Sequence, residues 1–325
     1  MIDGDRKRAL DLAKLRALVR EHFGVDDPPS VALAGGAAVH DETRLWAYQP
    51  SSTSLGRALA LATQRHLHEL HLLVDTDGEV LARRGAALAP PARVWRIDGR
   101  ALVAVEPAPP ALRAAAPSAR HLVGLLREAG VEVVEEHGEI SGEIRGLQVA
   151  RIGPDRAGAP RLCVGVGRFD QEATGVVHSD LPAEQALINA VSEVRVHRHR
   201  HAKPHPVNRL ARERWLRAQV LAHPASVGLS ALAAVEPPDP RRNIRDPVPA
   251  AALGRDDAGE RVLVVFSVGI DLDLVPFAAD LVQQHRPDRV LLVTPARDQI
   301  DLQRALTRWL PVPTELIAVE GDWPS

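Results

Sequence analysis

The chain has 325 residues and a formal net charge of −2, with 45% hydrophobic and 25% charged residues. This composition is typical of a folded globular protein of two or three domains, and it excludes a disordered chain. Because the net charge is close to zero, any attraction to nucleic acid must come from a local patch. The single cysteine, Cys163, excludes an internal disulfide and a cysteine-based zinc site.

The N-terminus is charged throughout and has no apolar core of a signal peptide. The longest apolar run is far shorter than the ~20 residues needed to span a bilayer. We therefore predict a cytoplasmic protein with no membrane partner.

Linker-like segments divide the chain into regions. An amphipathic helix over residues 7–23 ends at an Asp- and Pro-rich cluster. The Pro/Ala-rich segment 107–117 and the Pro-rich segment 237–240 have the composition of linkers. These signals predict four parts. They are an N-terminal helix in 1–30, an α/β region in 31–106, a middle α+β region in 118–236 and a second α/β region in 246–325.

The two α/β regions share one pattern. In each, a hairpin is followed by a helix, a strand, a second helix and a last strand. The matched strands are Leu45–Tyr48 with Val262–Phe266, Leu70–Val74 with Val290–Val293, and Arg93–Ile97 with Leu316–Val319. Successive strands are nearly equally spaced in the two regions. We predict an α/β fold with two related ββαβαβ units that arose by internal duplication, and the alternative is two unrelated segments with generic spacing.

The middle region has the pattern of an αβββα unit. One helix candidate closes at Gly130, and another runs to about Val194. The three strand candidates between them are Val131–Glu136, Ile144–Ile152 and Arg161–Val166.

An acidic stretch at residues 131–143 holds five carboxylates and one histidine, with no basic residue. Oxygen ligands at this density suit Mg²⁺ or Mn²⁺, so the stretch is a candidate site for a metal-dependent hydrolase. The simpler alternative is a solvated strand edge and turn, because exposed carboxylates are common. The candidate catalytic residues here are Glu135, Glu136, His137 and Glu143.

The predicted order of residues 118–195 resembles the core of the PD-(D/E)XK nucleases. In that fold, acidic residues on neighbouring strands hold the metal, and a lysine follows the second acid by two positions. The nearest match is Gln148-Val149-Ala150-Arg151, which has an amide in place of the carboxylate. The resemblance therefore implies a nuclease-like core that has departed from the catalytic pattern.

The strongest local charge lies in residues 195–217, which contain eight arginine or lysine residues and one glutamate. Such a segment suits a phosphate backbone, with an aromatic ring available for stacking. If it is extended, three histidines lie on one side and form an alternative metal site. A third alternative is a solvated segment that pairs with the acidic stretch. The candidate phosphate or nucleic-acid ligands are Arg195, Arg198, Arg200, Lys203, Arg209, Arg212 and Trp215, and the candidate metal ligands are His197, His199 and His201.

The strand-to-helix turn of each α/β unit is a further candidate. Helix N-termini at the carboxyl edge of a sheet favour anions. The hydroxyl-rich first turn suits a phosphate, whereas two aspartates in the second would repel one unless a cation intervened. Ser, Thr and Asp are also ordinary helix caps, which explains these residues without a ligand. The candidates are Ser52, Ser54 and Gly56 for an anion, and Asp271 and Asp273 for catalysis.

Three segments, Gly142–Arg151, His205–Ala211 and Ser267–Pro276, resemble a conserved family of uncharacterised actinobacterial proteins. The resemblance implies a cytoplasmic bacterial protein and no particular activity. No motif identifies a reaction, so the sequence leaves open whether the protein is an enzyme. The leading hypothesis is a protein associated with nucleic acid or phosphate. The alternatives are a metal-dependent hydrolase and a non-catalytic scaffold that forms homo-oligomers.

Overall fold

The computed structural model describes residues 2–51, 54–111, 118–155, 157–167, 182–199, 201–241 and 243–320. Over these residues the chain forms eight α-helices and three β-sheets, which confirms the predicted α/β class. Within the same ranges, no helix combines the length and hydropathy that a membrane span requires.

The helices are α1 (Ile2–Phe23), α2 (Gly56–Gln64), α3 (Glu79–Ala86), α4 (Arg120–Glu128), α5 (Ala183–His197), α6 (Arg212–Ala222), α7 (Leu274–His285) and α8 (Asp301–Leu306). The strands are β1 (Ser30–Val31), β2 (Ala37–His40), β3 (Arg44–Tyr48), β4 (Glu69–Val74), β5 (Arg93–Asp98), β6 (Ala101–Ala104), β7 (Glu132–Glu136), β8 (Glu139–Ile144), β9 (Leu147–Pro154), β10 (Pro160–Val164), β11 (Ala231–Val235), β12 (Ala250–Arg255), β13 (Arg261–Phe266), β14 (Arg289–Pro295) and β15 (Thr314–Val319).

The chain divides into two compact units. Unit 1 comprises Met1–Pro110, Ile270–Val290 and Gln299–Leu316. Unit 2 comprises Ala111–Gly269, Leu291–Asp298 and Ile317–Ser325.

The six-stranded sheet of unit 1 has the order β1-β2-β3-β4-β5-β6. Strands β2 and β3 form the predicted antiparallel hairpin, and β3, β4 and β5 are parallel. Trp46 and Tyr48 pack against Leu15 of α1. Because strand side chains alternate, Leu45 and Ala47 face the other side, and α2 and α3 contact the parallel strands.

Four helices also pack together inside unit 1. Helix α2 contacts α7 and α8, and α3 contacts α7. Hydrogen bonds also connect these segments. Trp309 Nε1 donates to Thr63 Oγ1 at 2.8 Å, and the Ala89 N–H donates to the Trp309 carbonyl at 2.8 Å. Helices from both predicted α/β regions therefore share one core.

The four-stranded sheet of unit 2 has the order β10-β9-β8-β7 and is antiparallel throughout. Helices α4 and α5 cover one face, where Leu126 and Val191 join Ile140 and Ile144 in the core. This region is αββββα, so the predicted count of three strands is wrong. The missed strand, β8, has the sequence Glu-Ile-Ser-Gly-Glu-Ile, whose glycine and carboxylates suggest a turn.

The five-stranded sheet has the order β11-β12-β13-β14-β15. Trp215 and Leu216 of α6 pack against Val264 and Phe266 on one of its faces. Both α/β regions contain the predicted order ββαβαβ. Strands β1, β6 and β11 were not predicted.

Candidate functional site

The acidic residues lie mainly on the polar face of the four-stranded sheet. Ile140 and Ile144 of β8 belong to the core beneath α4 and α5. Their neighbours Glu139 and Glu143 therefore face the other way. Glu136 of β7 is paired with Glu139 in the ladder and lies on the same side.

Two arginines of α6 lie against this polar face and pair with its carboxylates. Arg214 donates to both Glu136 and Glu143, and Arg217 Nη1 donates to Glu136 Oε1 at 3.0 Å. Arg241 Nε lies 3.9 Å from Glu136 Oε2. We call these five residues the Arg–Glu network. Two arginines of the basic stretch and two glutamates of the acidic stretch thus neutralise each other inside unit 2.

Neighbouring charges and burial determine the pKa values of Glu136 and Arg241 in this network. Burial by itself raises the pKa of Glu136, but the guanidinium groups of Arg214, Arg217 and Arg241 outweigh burial and hold that pKa at about 2. Burial, with repulsion from Arg214, lowers the pKa of Arg241 to about 10. The ions therefore persist at neutral pH, and a divalent cation would have to displace guanidinium groups to reach Glu136.

Glu135 and His137 do not complete a metal site. Glu135 is exposed. His137 has a φ of 50°, donates its backbone N–H to Glu236 at 2.9 Å and places Nε2 2.9 Å from the Pro237 carbonyl. Among the described residues, no group of three His, Cys, Asp or Glu side chains is arranged to hold a metal ion. The carboxylates that lie close together in the sequence therefore do not converge on a metal site among the described residues.

Arg198 is buried among backbone carbonyl groups. Its side chain is 1% exposed, and its guanidinium group stacks over the Trp215 ring at 4.3 Å. Burial lowers the pKa of Arg198 to about 9, which leaves it protonated at neutral pH. Its donors bind, at 2.8–3.3 Å, the carbonyl oxygens of Arg145, Val207, Leu210 and Ala211.

Burial separates two of the predicted nucleic-acid ligands from the rest. Arg198 and Trp215 belong to the interior of unit 2, and Trp215 is 3% exposed. Neither side chain therefore presents the surface that direct phosphate binding or base stacking needs. Arg195 is exposed and donates to the Gly130 carbonyl at 2.7 Å. Arg200 lies outside the described residues.

Four cations near the buried Arg198 lie at the surface of unit 2, and we name them the basic surface. Arg145, Lys203 and Arg209 are exposed, and Arg212 is half-buried. Across the described part of the chain, none of these four side chains pairs with a carboxylate. Arg145 was not predicted, because it lies fifty residues before the basic stretch on the turn between β8 and β9.

The three histidines do not follow the predicted strand alternation. Helix α5 continues to His197, so that residue is helical rather than extended. Its ring stacks on the ring of His205, with centroids 3.8 Å apart. His199 and His201 lie in the loop that follows, and the described residues contain no metal-binding cluster here.

The two predicted strand-to-helix turns meet inside unit 1. The Asp273 carboxylate accepts the N–H groups of Leu55 and Gly56 at 3.0 and 2.9 Å and the Ser54 hydroxyl at 2.6 Å. It therefore occupies the N-terminus of α2, where the sequence suggested a bound anion. Asp271 accepts the N–H of Asp273 at 2.8 Å. Ser52 lies outside the described residues.

A buried ion pair in unit 1 was missed. Arg83 Nε and Nη2 lie 2.9 and 2.8 Å from the two carboxylate oxygens of Asp280, and both side chains are about 5% exposed or less. Asp280 is the one charged residue within the apolar segment Leu274–Val282 of α7. That isolated charge was the available signal, because a buried carboxylate needs a partner.

Comparisons with protein families, with curated proteins and with solved structures find no match to this chain.

Proposed function

We propose that unit 2 binds the phosphate backbone of nucleic acid through the basic surface. The observation that supports this most is the buried guanidinium of Arg198, which fixes the chain segments that carry three of the four cations. The protein would act by binding, because the carboxylates that a hydrolase would use are engaged in the Arg–Glu network.

Arg198 gathers these segments through their carbonyl groups. Arg145 supplies one acceptor itself, Arg209 lies between two acceptors, and Arg212 follows the last one. Five N–H donors on one planar group fix several backbone segments at once, which a lysine could not do. The chain segments that carry Arg145, Arg209 and Arg212 are therefore held around one point, and none of these three guanidinium groups forms an ion pair within the described residues.

The chemistry of these side chains suits phosphate. Arginine binds phosphate oxygens in a two-pronged geometry, and each neutralised phosphate releases a condensed counterion. Two carboxyl groups are close to these cations. Glu132 Oε1 accepts the Arg145 N–H at 3.3 Å, and the buried Glu213 lies within electrostatic reach of Arg212. They reduce the positive potential of the basic surface, which carries four cations.

A cavity next to Arg145 favours a single strand over a duplex. It measures about 280 Å³, and its lining includes Glu132, Trp215, Gln219 and His223. This is just below the roughly 300–1,000 Å³ of typical small-molecule sites. It has room for one unstacked base and not for a base pair.

The test is fluorescence anisotropy with labelled single-stranded RNA, single-stranded DNA and duplex over a salt series. We expect R145A/R209A/R212A to bind more weakly, and its log Kd against log salt slope to fall by about 2, at ~0.7 for each lost single-strand contact. The matched control is R120A/R127A/R161A, which removes three exposed arginines from α4 and β10 of the same unit.

Two outcomes would reject the proposal. The first is that the unmodified protein does not bind at low salt. The second is that the control variant loses as much affinity as R145A/R209A/R212A, which would assign binding to overall charge.

We also infer that regions 31–106 and 246–325 derive from one duplicated unit. Equivalent contacts support this inference. The Gln49 N–H donates to the Leu73 carbonyl at 3.0 Å, and the Ser267 N–H donates to the Val293 carbonyl at 3.1 Å. Each hairpin also has an extra strand, β1 or β11, antiparallel to its first strand. The inference gains support if a homologous chain carries one such unit and forms a homodimer. It is contradicted if homologous sequences trace the two regions to two dissimilar ancestors.

A further inference from the structure

Among the described residues, the three sheets end in six edge strands, and four of these carry protection against pairing with another chain. Unpaired N–H and C=O groups at a sheet edge can bind a further strand, and short length, charge or proline prevents this. Strand β1 has two residues, β7 contains three glutamates, β10 begins with Pro160 and Arg161, and β15 carries exposed Glu315.

Strand β11 has none of these protections within its five residues, and the charged residue that follows it, Glu236, is buried and accepts the His137 N–H. Its sequence is Ala-Leu-Ala-Ala-Val, and Ala231, Ala233 and Ala234 are exposed. Ala233 and Ala234 point to opposite faces, so the edge is open on both sides. Within the described residues, its backbone bonds only to β12, which leaves its outer row of donors and acceptors unpaired.

Strand β6 is the other uncharged edge, and it is less suited to pairing. It has four residues, and Arg100, which is 87% exposed, precedes it directly. Glu106 follows two residues after its end and is also exposed. Charges at both ends of a short strand discourage a further strand.

We propose that β11 pairs in antiparallel fashion with β11 of a second copy of this chain. Two-fold pairing centred on Ala233 places Ala233 opposite itself, Leu232 opposite Ala234 and Ala231 opposite Val235. No like charges meet, so the strand is complementary to itself, as a two-fold interface requires. The pairing joins two five-stranded sheets into one.

The dimer dissociates on dilution. One pair of five-residue strands buries less than the roughly 1,000 Å² expected of a stable interface. This inference is independent of nucleic-acid binding, although a dimer would present two basic surfaces and raise affinity for a long strand through avidity.

Sedimentation velocity over a concentration series tests the proposal. We expect a monomer–dimer equilibrium for the unmodified chain, a monomer for A233K, and an unchanged equilibrium for the matched edge variant V103K on β6. Circular dichroism of each variant checks folding. A chain that stays monomeric at every concentration overturns the proposal, and so does dimerisation lost in V103K and kept in A233K.

A cross-link gives a positive test that does not depend on loss of function. In a C163S background, A233C places two thiols opposite each other across the two-fold axis, within reach of a disulfide. Mild oxidation should yield covalent dimers of A233C and not of V103C. If A233C forms none while the unmodified chain dimerises, the interface lies elsewhere and a different partner surface must replace β11.

Discussion

The two units bury charge in different ways. In unit 1, the Asp280 carboxylate of α7 contacts both Arg83, at 2.8 Å, and Arg84, at 3.5 Å. In unit 2, two carboxylates share three guanidinium groups in the Arg–Glu network. Loss of Asp280 removes a contact to both of these arginines at once, whereas Arg214 and Arg217 are each close to both Glu136 and Glu143.

This difference predicts where a single lost charge is most damaging. A buried charge without its partner is costly, because the low-dielectric interior cannot solvate it. In the Arg–Glu network, the remaining carboxylate still attracts Arg214 and Arg217. We therefore expect unit 1 to be more sensitive than unit 2 to removal of one buried carboxylate.

D280A should lower the free energy of unfolding more than the other substitutions described below. It removes the carboxylate partner of the buried Arg83 guanidinium group, so we expect a loss of about 3–5 kcal/mol in the free energy of unfolding. Urea denaturation followed by tryptophan fluorescence measures this in a W215F background, which removes the described tryptophan of unit 2. The double variant R83M/D280L should recover much of the loss, and equal instability of the two variants would contradict the explanation.

E136Q, which also replaces a largely buried carboxylate with a neutral group, should destabilise the protein less than D280A does. The amide keeps the shape of the side chain and loses charged hydrogen bonds worth about 1.5–3 kcal/mol. Exposed Glu135 supplies the control, because E135Q should change stability by less than about 0.5 kcal/mol. If E136Q proves more damaging than D280A, sharing of charge does not protect unit 2.

Acid titration measures the contribution of the Glu136 charge directly. The pKa of Glu136 is about 2 in the folded protein, against an ordinary value of 4.5. Its ionised form therefore stabilises the fold fully above pH 4.5, and this contribution is lost as the pH falls from 4.5 through 2. Unfolding free energies measured at successive pH values should fall less steeply for E136Q over this interval, and parallel curves would show that Glu136 is not responsible.

The smallest effect is expected for D273A in unit 1. The Asp273 carboxylate caps the N-terminus of α2 from another segment, and loss of a cap costs about 0.5–2 kcal/mol. Thermal denaturation measures the loss of stability. S54A removes one of the three donors to the Asp273 carboxylate and should destabilise the protein less than D273A does. A neutral D273A would mean that water satisfies the α2 N–H groups equally well.

The sequence predicted the two α/β regions well because their strands are buried apolar runs. Periodicity and turn residues carry that information locally, as at Leu70–Val74, which lies within β4. Strand β8 was missed because its polar residues face the arginines of α6 rather than solvent. A local pattern cannot distinguish a buried polar face from an exposed turn.

The candidate sites were harder to predict because pairing depends on distant residues. Charge density identified both the acidic and the basic stretch, and their mutual neutralisation was one of the open alternatives. Nothing local distinguished Arg198, which is buried, from Arg209, which is exposed. That difference arises from carbonyl groups that fold around Arg198, and carbonyl groups are the same in every sequence.

The contact between Asp273 and the start of α2 also has an evolutionary consequence. A side chain at Gly56 would collide with the Leu272 carbonyl, so the close approach through which Asp273 caps α2 requires glycine at a position 217 residues away. Homologous sequences that lack the carboxylate at position 273 should also have residues other than glycine at position 56. This covariation would be visible in sequences alone, without any further structure.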